Sequence, residues 1–149
     1  MEDTLNKYKQ DYILFVESGF IAVNQGDEDA AIKLFKAAAT LDPKNDLPQV
    51  GMGYMHLCKL ELKQACKIFE EVLEKDSANE MAKAFLGIAL SLTPNQVSQG
   101  EKVLEEIATN THDNNIKTLA ETAIDFVEKF VKKAPTPAQA QQAPEKKKS

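Results

Sequence analysis

Glycine and proline are scarce in this chain, six of each among 149 residues, and strongly β-branched runs are missing. Strand-and-turn architectures need those residues, so the expected class is all-α. Cysteine is scarcer still. Cys58 and Cys66 are the only two, at no metal-type spacing, which points to reduced thiols in a cytosolic setting. No run approaches the roughly 18 to 20 apolar residues that cross a bilayer. The opening stretch MEDTLNKYKQ has no charged-then-apolar leader pattern. The expectation is a protein that stays where it is made, with no membrane insertion. An excess of positive charge is also lacking: the formal net charge is −5, which argues against nucleic acid as a partner. The balance is uneven, because residues 134–149 carry three Lys and one Glu, a sum of +2, leaving −7 for the rest.

Catalytic constellations are missing as well. His56 and His112 lie far apart and outside any metal motif, and no Gly-rich phosphate loop, serine nucleophile elbow or His-Glu metal helix occurs. His56 falls in a helix-packing position and His112, in THDNN, in a loop. Cys58 and Cys66 read as buried or half-buried thiols, and Glu70-Glu71 and Glu105-Glu106 as solvated helix faces. Neither an enzyme nor a cofactor or metal protein is expected.

What is present is hydrophobic content of 43%, enough for one domain with a modest core, and a pattern that returns. At a spacing of 34 residues Gly19, Gly53 and Gly87 coincide, as do Ala31 with Ala65, Lys33 with Lys67, Leu34 with Ile68 and Phe35 with Phe69. Asp42 matches Asp76 and Asn45 matches Asn79, while Pro43 becomes Ser77. Recurrence at fixed spacing marks an array of supersecondary units. The unit reads as a helical hairpin. A mid-helix glycine costs ~1 kcal/mol relative to alanine, so close approach of the paired helix is expected to offset it. Ala31 and Ala65 would sit at the crossing, with Phe35 and Phe69 one turn on, filling the space between units. Asp42-Pro43 stops the helix, because the residue before proline is pushed out of the α region.

In the third unit Thr93-Pro94-Asn95-Gln96 reads as a capping box with proline at the first helical position. The helix after it fits the pattern with one inserted residue, placing Gly100, Leu104 and Ile107 on the packing face. Asn115 to Lys133 reads as a single helix with Ile116, Leu119, Ala120, Ala123, Phe126, Val127 and Phe130 on an apolar stripe, covering the third unit as the end of a stack requires. Leu5, Tyr8, Tyr12 and Phe15 keep helical spacing, so the first helix is expected to start near Asp3. Residues 134–149, APTPAQAQQAPEKKKS, hold too little apolar volume for a core and are expected to be a disordered, solubilising tail.

These residues resemble the tetratricopeptide repeat family. The first unit, residues 12–45, keeps Phe15, Gly19, Gly26-Asp27, Ala31, Phe35, Ala38 and Pro43, with Ser18 and Ala22 departing from the family's leucine and tyrosine. The second, 46–79, keeps Gly53, Ala65 and Phe69 but has Leu60 at the turn glycine and Gln49 at the aromatic position. The third, 80–113, keeps Leu86-Gly87 and then diverges. The resemblance implies three hairpins stacked as a short right-handed superhelix, followed by a capping helix over 115–133.

The first helix of each unit carries a second apolar stripe: Ile13, Val16, Phe20 and Val23, then Leu47, Val50, Tyr54 and Leu57, then Met81, Ala84 and Ile88, running on to Ser91. Periodicity alone leaves its direction open; the resemblance implies that it lines a concave, protein-binding groove. Family members that clamp the C-terminal carboxylate of heat-shock chaperones place Lys and Asn there, and Ile13, Val16 and Phe20 exclude that role. An apolar groove suits an amphipathic helix or an extended apolar segment, and Phe20, Tyr54 and Leu57 are the expected anchors. The chain is further similar to bacterial type III secretion chaperones. Its compact build, single capping helix and early start point to those of needle subunits, which work with a small helical co-chaperone in the bacterial cytoplasm. Chaperones of translocator proteins are the alternative, as is a general scaffold joining two proteins through its outer charged face, Lys33, Lys36, Lys67 and Glu70.

Overall fold

The computed structural model describes residues 2–133; the expected tail, 134–149, lies outside them. The described residues form helices α1 (Glu2–Asn24), α2 (Glu28–Leu41), α3 (Leu47–Cys58), α4 (Leu62–Lys75), α5 (Glu80–Ser91), α6 (Val97–Asn110) and α7 (Asn114–Phe126), closed by a π turn over Val127–Val131. There is no strand among them. Connections of three to five residues leave each helix no choice but to fold back on its predecessor. Each packs on the next, and α1 also packs on α3, α3 on α5 and α5 on α7. The odd-numbered helices therefore form a row, with α2, α4 and α6 laid against it.

Local chemistry sets the helix ends. Asp27 accepts a hydrogen bond from the Ala30 N–H (3.0 Å), Asn79 from the Ala82 N–H (3.0 Å), and Asp113 from the Asn115 and Ile116 N–H groups (2.8 and 3.3 Å). Each cap satisfies a donor the helix cannot. Helix α2 stops at Asp42, extended at φ −139° before Pro43, and α4 stops at Asp76 with nearly the same geometry, φ −137°, before Ser77. Proline is thus sufficient for the stop but not necessary. Gly26 turns at φ +76°; Leu60, at the matching place, is forced to φ +59° with its side chain 69% exposed.

The recurring glycines each face a large apolar side chain of the paired helix. A Cβ on Gly19 would lie 2.5 Å from Phe35, one on Gly53 2.5 Å from Phe69, and one on Gly87 2.9 Å from Leu104. Phe35 also presses on Gly51 of α3, so one ring fills the gap between two odd helices and the even helix against them. Phe35, Phe69 and Leu104 are essentially fully buried, as are Ala31 and Ala65. Gly100, where the inserted residue places it, is buried as well and touches Ser91, whose hydroxyl donates to the Gly87 carbonyl at 2.7 Å.

Three expectations need correction. Thr93 does not open α6: its hydroxyl donates back to the Ala89 carbonyl (2.8 Å), α6 begins at Val97, and its N-cap, Gln96, makes no side-chain bond. A threonine hydroxyl one turn from a carbonyl of the helix it closes is already engaged. The last helix is not one α-helix to Lys133. It widens at Val127, where the Lys132 N–H reaches the Val127 carbonyl (2.9 Å), while the Lys132 ammonium is held by Glu101 of α6 (2.8 Å) and by Glu128 (2.7 Å). Of the two thiols Cys66 is half-buried as expected, but Cys58 is exposed.

Two substitutions test this packing by chemical denaturation. Gly53→Ala should lose about 1–3 kcal/mol, since Phe69 has no free space to yield. Leu60→Gly should gain about 1 kcal/mol by removing left-handed strain at a side chain that buries little.

Candidate binding groove

The second apolar stripe divides on folding. Val16, Val23, Val50, Leu57 and Ala84 turn into the contacts within the helix row and keep 8% exposure or less. Phe20, Leu47, Tyr54, Met81 and Ile88 are half-buried, and Ile13 is exposed. Leu57 therefore offers no anchor surface. The reason is geometric. A 3-4-3 spacing covers an arc of the helix wide enough for one edge to meet the neighbouring helix while the other edge stays open.

The open edge is aromatic. Phe20 of α1 lies 5.6 Å from Tyr54 of α3 between ring centroids, and Tyr54 stacks on Phe85 of α5 at 5.2 Å and 27°. Beneath this row, Phe35 meets Phe20 edge-on at 5.3 Å, and Phe69 meets Phe85 at 5.7 Å. The surface rings thus rest on the same rings that the glycines receive. Phe85 escaped the sequence reading because the 34-residue spacing aligns it with Gly51 and Glu17, which it does not resemble. A signal was available: Met81, Phe85, Ile88 and Leu92 keep helical spacing of their own.

The Tyr54 hydroxyl donates to Asn24 Oδ1 at 2.7 Å, tying α3 to the end of α1. Burial first, and then the neighbouring Cys58 thiol, push its pKa up to about 12. Beyond Phe85 the apolar surface continues over Ile88 into a cleft of about 280 Å³ between α5 and α7, walled by Leu92, Leu119, Ala123, Phe126 and Val127 with Ser91 and Thr122. Every residue lining it is uncharged. Phe126 is 48% exposed at its mouth and contacts Phe130, centroids 5.1 Å apart.

Charged groups pair away from this surface. At the α3–α4 turn Lys59 bridges Glu28 (2.9 Å) and Glu61 (2.6 Å), and Glu61 also meets His56 Nδ1 (2.8 Å). The Lys59 and His56 partners hold the Glu61 carboxyl below its usual range. His56 is thus a satisfied, half-buried side chain and His112 sits in the α6–α7 connection, as expected. Among the described residues no group of three or more His, Cys, Asp or Glu is placed to hold a metal ion, and no helix is long and apolar enough to cross a membrane. No protein-family model matches the chain, and comparison with curated proteins finds no similar sequence.

The raised Tyr54 pKa gives a sign that can be tested. The phenol binds its proton more tightly folded than unfolded, so its contribution to stability is full below about pH 10 and is lost as pH rises toward 12. In an ultraviolet titration of folded protein, Tyr54→Phe should remove a step near pH 12, one of three tyrosine equivalents. Loss of a step near pH 10 instead would contradict the burial.

Proposed function

We propose that this chain is a tetratricopeptide-type chaperone, a non-enzymatic protein that sequesters an apolar amphipathic segment of a client, and that the client is a type III secretion needle subunit held before export. The observation that carries the binding reading is the uncharged aromatic row Phe20–Tyr54–Phe85, half-buried and left open along the helix row. Rings already stacked and supported from below lose little side-chain freedom on binding, which favours them as anchors. The repeat reading is supported by the 34-residue recurrence together with the threefold seating of a ring or leucine on a mid-helix glycine. The needle assignment rests on the likeness of a short, acidic, three-unit chain to that class of chaperone.

The mechanism is stoichiometric. A subunit that polymerises by burying one apolar helix face against its copies stays monomeric while that face lies on the chaperone. Each large apolar side chain covered contributes ~1.5 to 3 kcal/mol before ordering costs, so a few anchors suffice for a reversible, export-competent complex. Partners are then the client and a small helical co-chaperone, in the bacterial cytoplasm.

Co-purification from the native cell with mass identification of bound protein tests the client. With that client, Phe20→Asp combined with Tyr54→Asp should weaken binding at least about hundredfold. Ile13→Asp, at an exposed site that folding does not use, should weaken it several-fold with unchanged thermal stability. Unaltered affinity in both would remove the groove. Greater loss on charge reversal at exposed Lys33, Lys36 and Lys67 would favour the scaffold reading instead.

A further inference from the structure

We propose that the first part of α1 is a contact between two copies of this chain, in which residues 2–11 pair antiparallel with the same segment of a second copy around Leu5 and Tyr8. The contact is independent of the groove and of any client.

Helix α1 has 23 residues, against 12 to 14 for each of α2 to α7. Its surplus lies ahead of the first repeat unit, and residues 2–10 are all exposed. A helix carried so far past its packing partner is only marginally held in water. It nevertheless displays Leu5 and Tyr8, 59% and 53% exposed. With Tyr12 these keep 3-4 spacing, beside a hollow of about 430 Å³ walled also by Lys9, Ile13, Leu41, Asp42 and Asn45.

The order of charges points to the occupant. At about 100° per residue, Glu2 and Lys9 fall on one flank of the Leu5–Tyr8–Tyr12 stripe, and Thr4 and Asp11 on the other. Asp3 and Lys7 fall on the opposite side of the helix. When two copies pair antiparallel about a two-fold axis, each flank meets itself. Glu2 then faces Lys9 of the second copy, Leu5 faces its Tyr8, and Thr4 faces its Asp11. All three pairings centre within one residue of the point between Asn6 and Lys7, about 1.5 Å along the helix. A single axis therefore satisfies them, with two ion pairs and no like charges opposite each other along the two helices. Parallel pairing in register would set Lys9 against Thr4 and make no ion pair. Among the described residues neither Glu2 nor Lys9 belongs to an ion pair within its own chain. A foreign helix would match this order of charges only by coincidence, whereas a second copy supplies it.

The placement also avoids a clash. With the axis near Asn6, the repeat units of the second copy begin beyond Glu2, so the two bodies lie at opposite ends of the paired helices. The contact stops more than two turns short of Phe20 and leaves the aromatic row uncovered. Leu5 and Tyr8 from each copy make a core below the usual interface size, which sets a weak dimer with a Kd of order 100 µM.

Sedimentation equilibrium of the full-length protein, from about 5 µM to 1 mM, should show monomer in equilibrium with dimer. Leu5→Asp combined with Tyr8→Asp should weaken the dimer at least about hundredfold. Lys9→Glu and Glu2→Lys should each weaken it about tenfold, because like charges then face each other. Combining the two exchanges in one chain should restore wild-type affinity to within about threefold, and mixing the two single variants should favour the mixed dimer over either parent. Unchanged melting curves at about 5 µM, where the protein is monomeric, check that each variant folds. A monomer at every concentration overturns the proposal and leaves the stripe to a foreign helix. A dimer that tolerates the Leu5, Tyr8 double variant also overturns it, and one that Ala123→Leu dissociates instead would assign the contact to the α5–α7 cleft. If the single exchanges weaken the dimer and the combined exchange does not restore it, the antiparallel pairing is overturned.

Discussion

The architecture depends on a ring seated on a missing side chain. Phe35 lies against Gly19 and Gly51, and Phe69 against Gly53. Each contact lets an odd-numbered helix approach its even-numbered partner more closely than any Cβ would permit. The glycines weaken their own helices by ~1 kcal/mol each, and the buried rings more than offset this, since truncating a core phenylalanine typically costs 3–5 kcal/mol, by order of magnitude ~4. Leu104 under Gly87 does the same with less volume. The third position is also where the sequence departs from strict recurrence, with a longer connection and an Asn95 at φ +67°.

From that seating the binding surface follows. Because Phe35 and Phe69 are fixed from below, Phe20, Tyr54 and Phe85 have a firm floor and stack across three helices without closing over. The same packing draws Val16, Val23, Val50, Leu57 and Ala84 inward. Core and candidate site are therefore two edges of one stripe, and a change that loosens the first disturbs the second. Charge is kept out of this arrangement. The ion pairs sit at the α3–α4 turn and around the π turn, where solvent limits what they contribute to stability and where their use is to fix the ends of elements.

The last helix shows how a change in backbone period serves a surface. Straight α-helical continuation would carry Phe126, Phe130 and Lys133 on at a constant angle. The π turn widens the backbone at Val127 instead, buries Val127, and brings Lys132 onto Glu101. Phe126 is left at the mouth of an apolar cleft rather than against the core. Wide turns of this kind often accompany functional surfaces.

The sequence by itself determined the all-helical class of the described residues, the helix stops at Asp42 and Asp76, and the small residues Gly19, Gly53, Ala31 and Ala65 as places where paired helices come close. Recurrence at 34 residues reports positions that share an environment, and capping and propensity act over single turns. It also carried the extra residue in the third unit, since Gly100, Leu104 and Ile107 are buried as that insertion requires. The tertiary structure alone decided which edge of the apolar stripe stays open, that Phe85 joins the row, that Leu57 leaves it, and that α7 ends in a wider turn. Those outcomes depend on the angles between neighbouring helices and on contacts between residues far apart in the chain. The periodicity of one helix records how wide its apolar arc is, not how much of that arc a neighbour will cover.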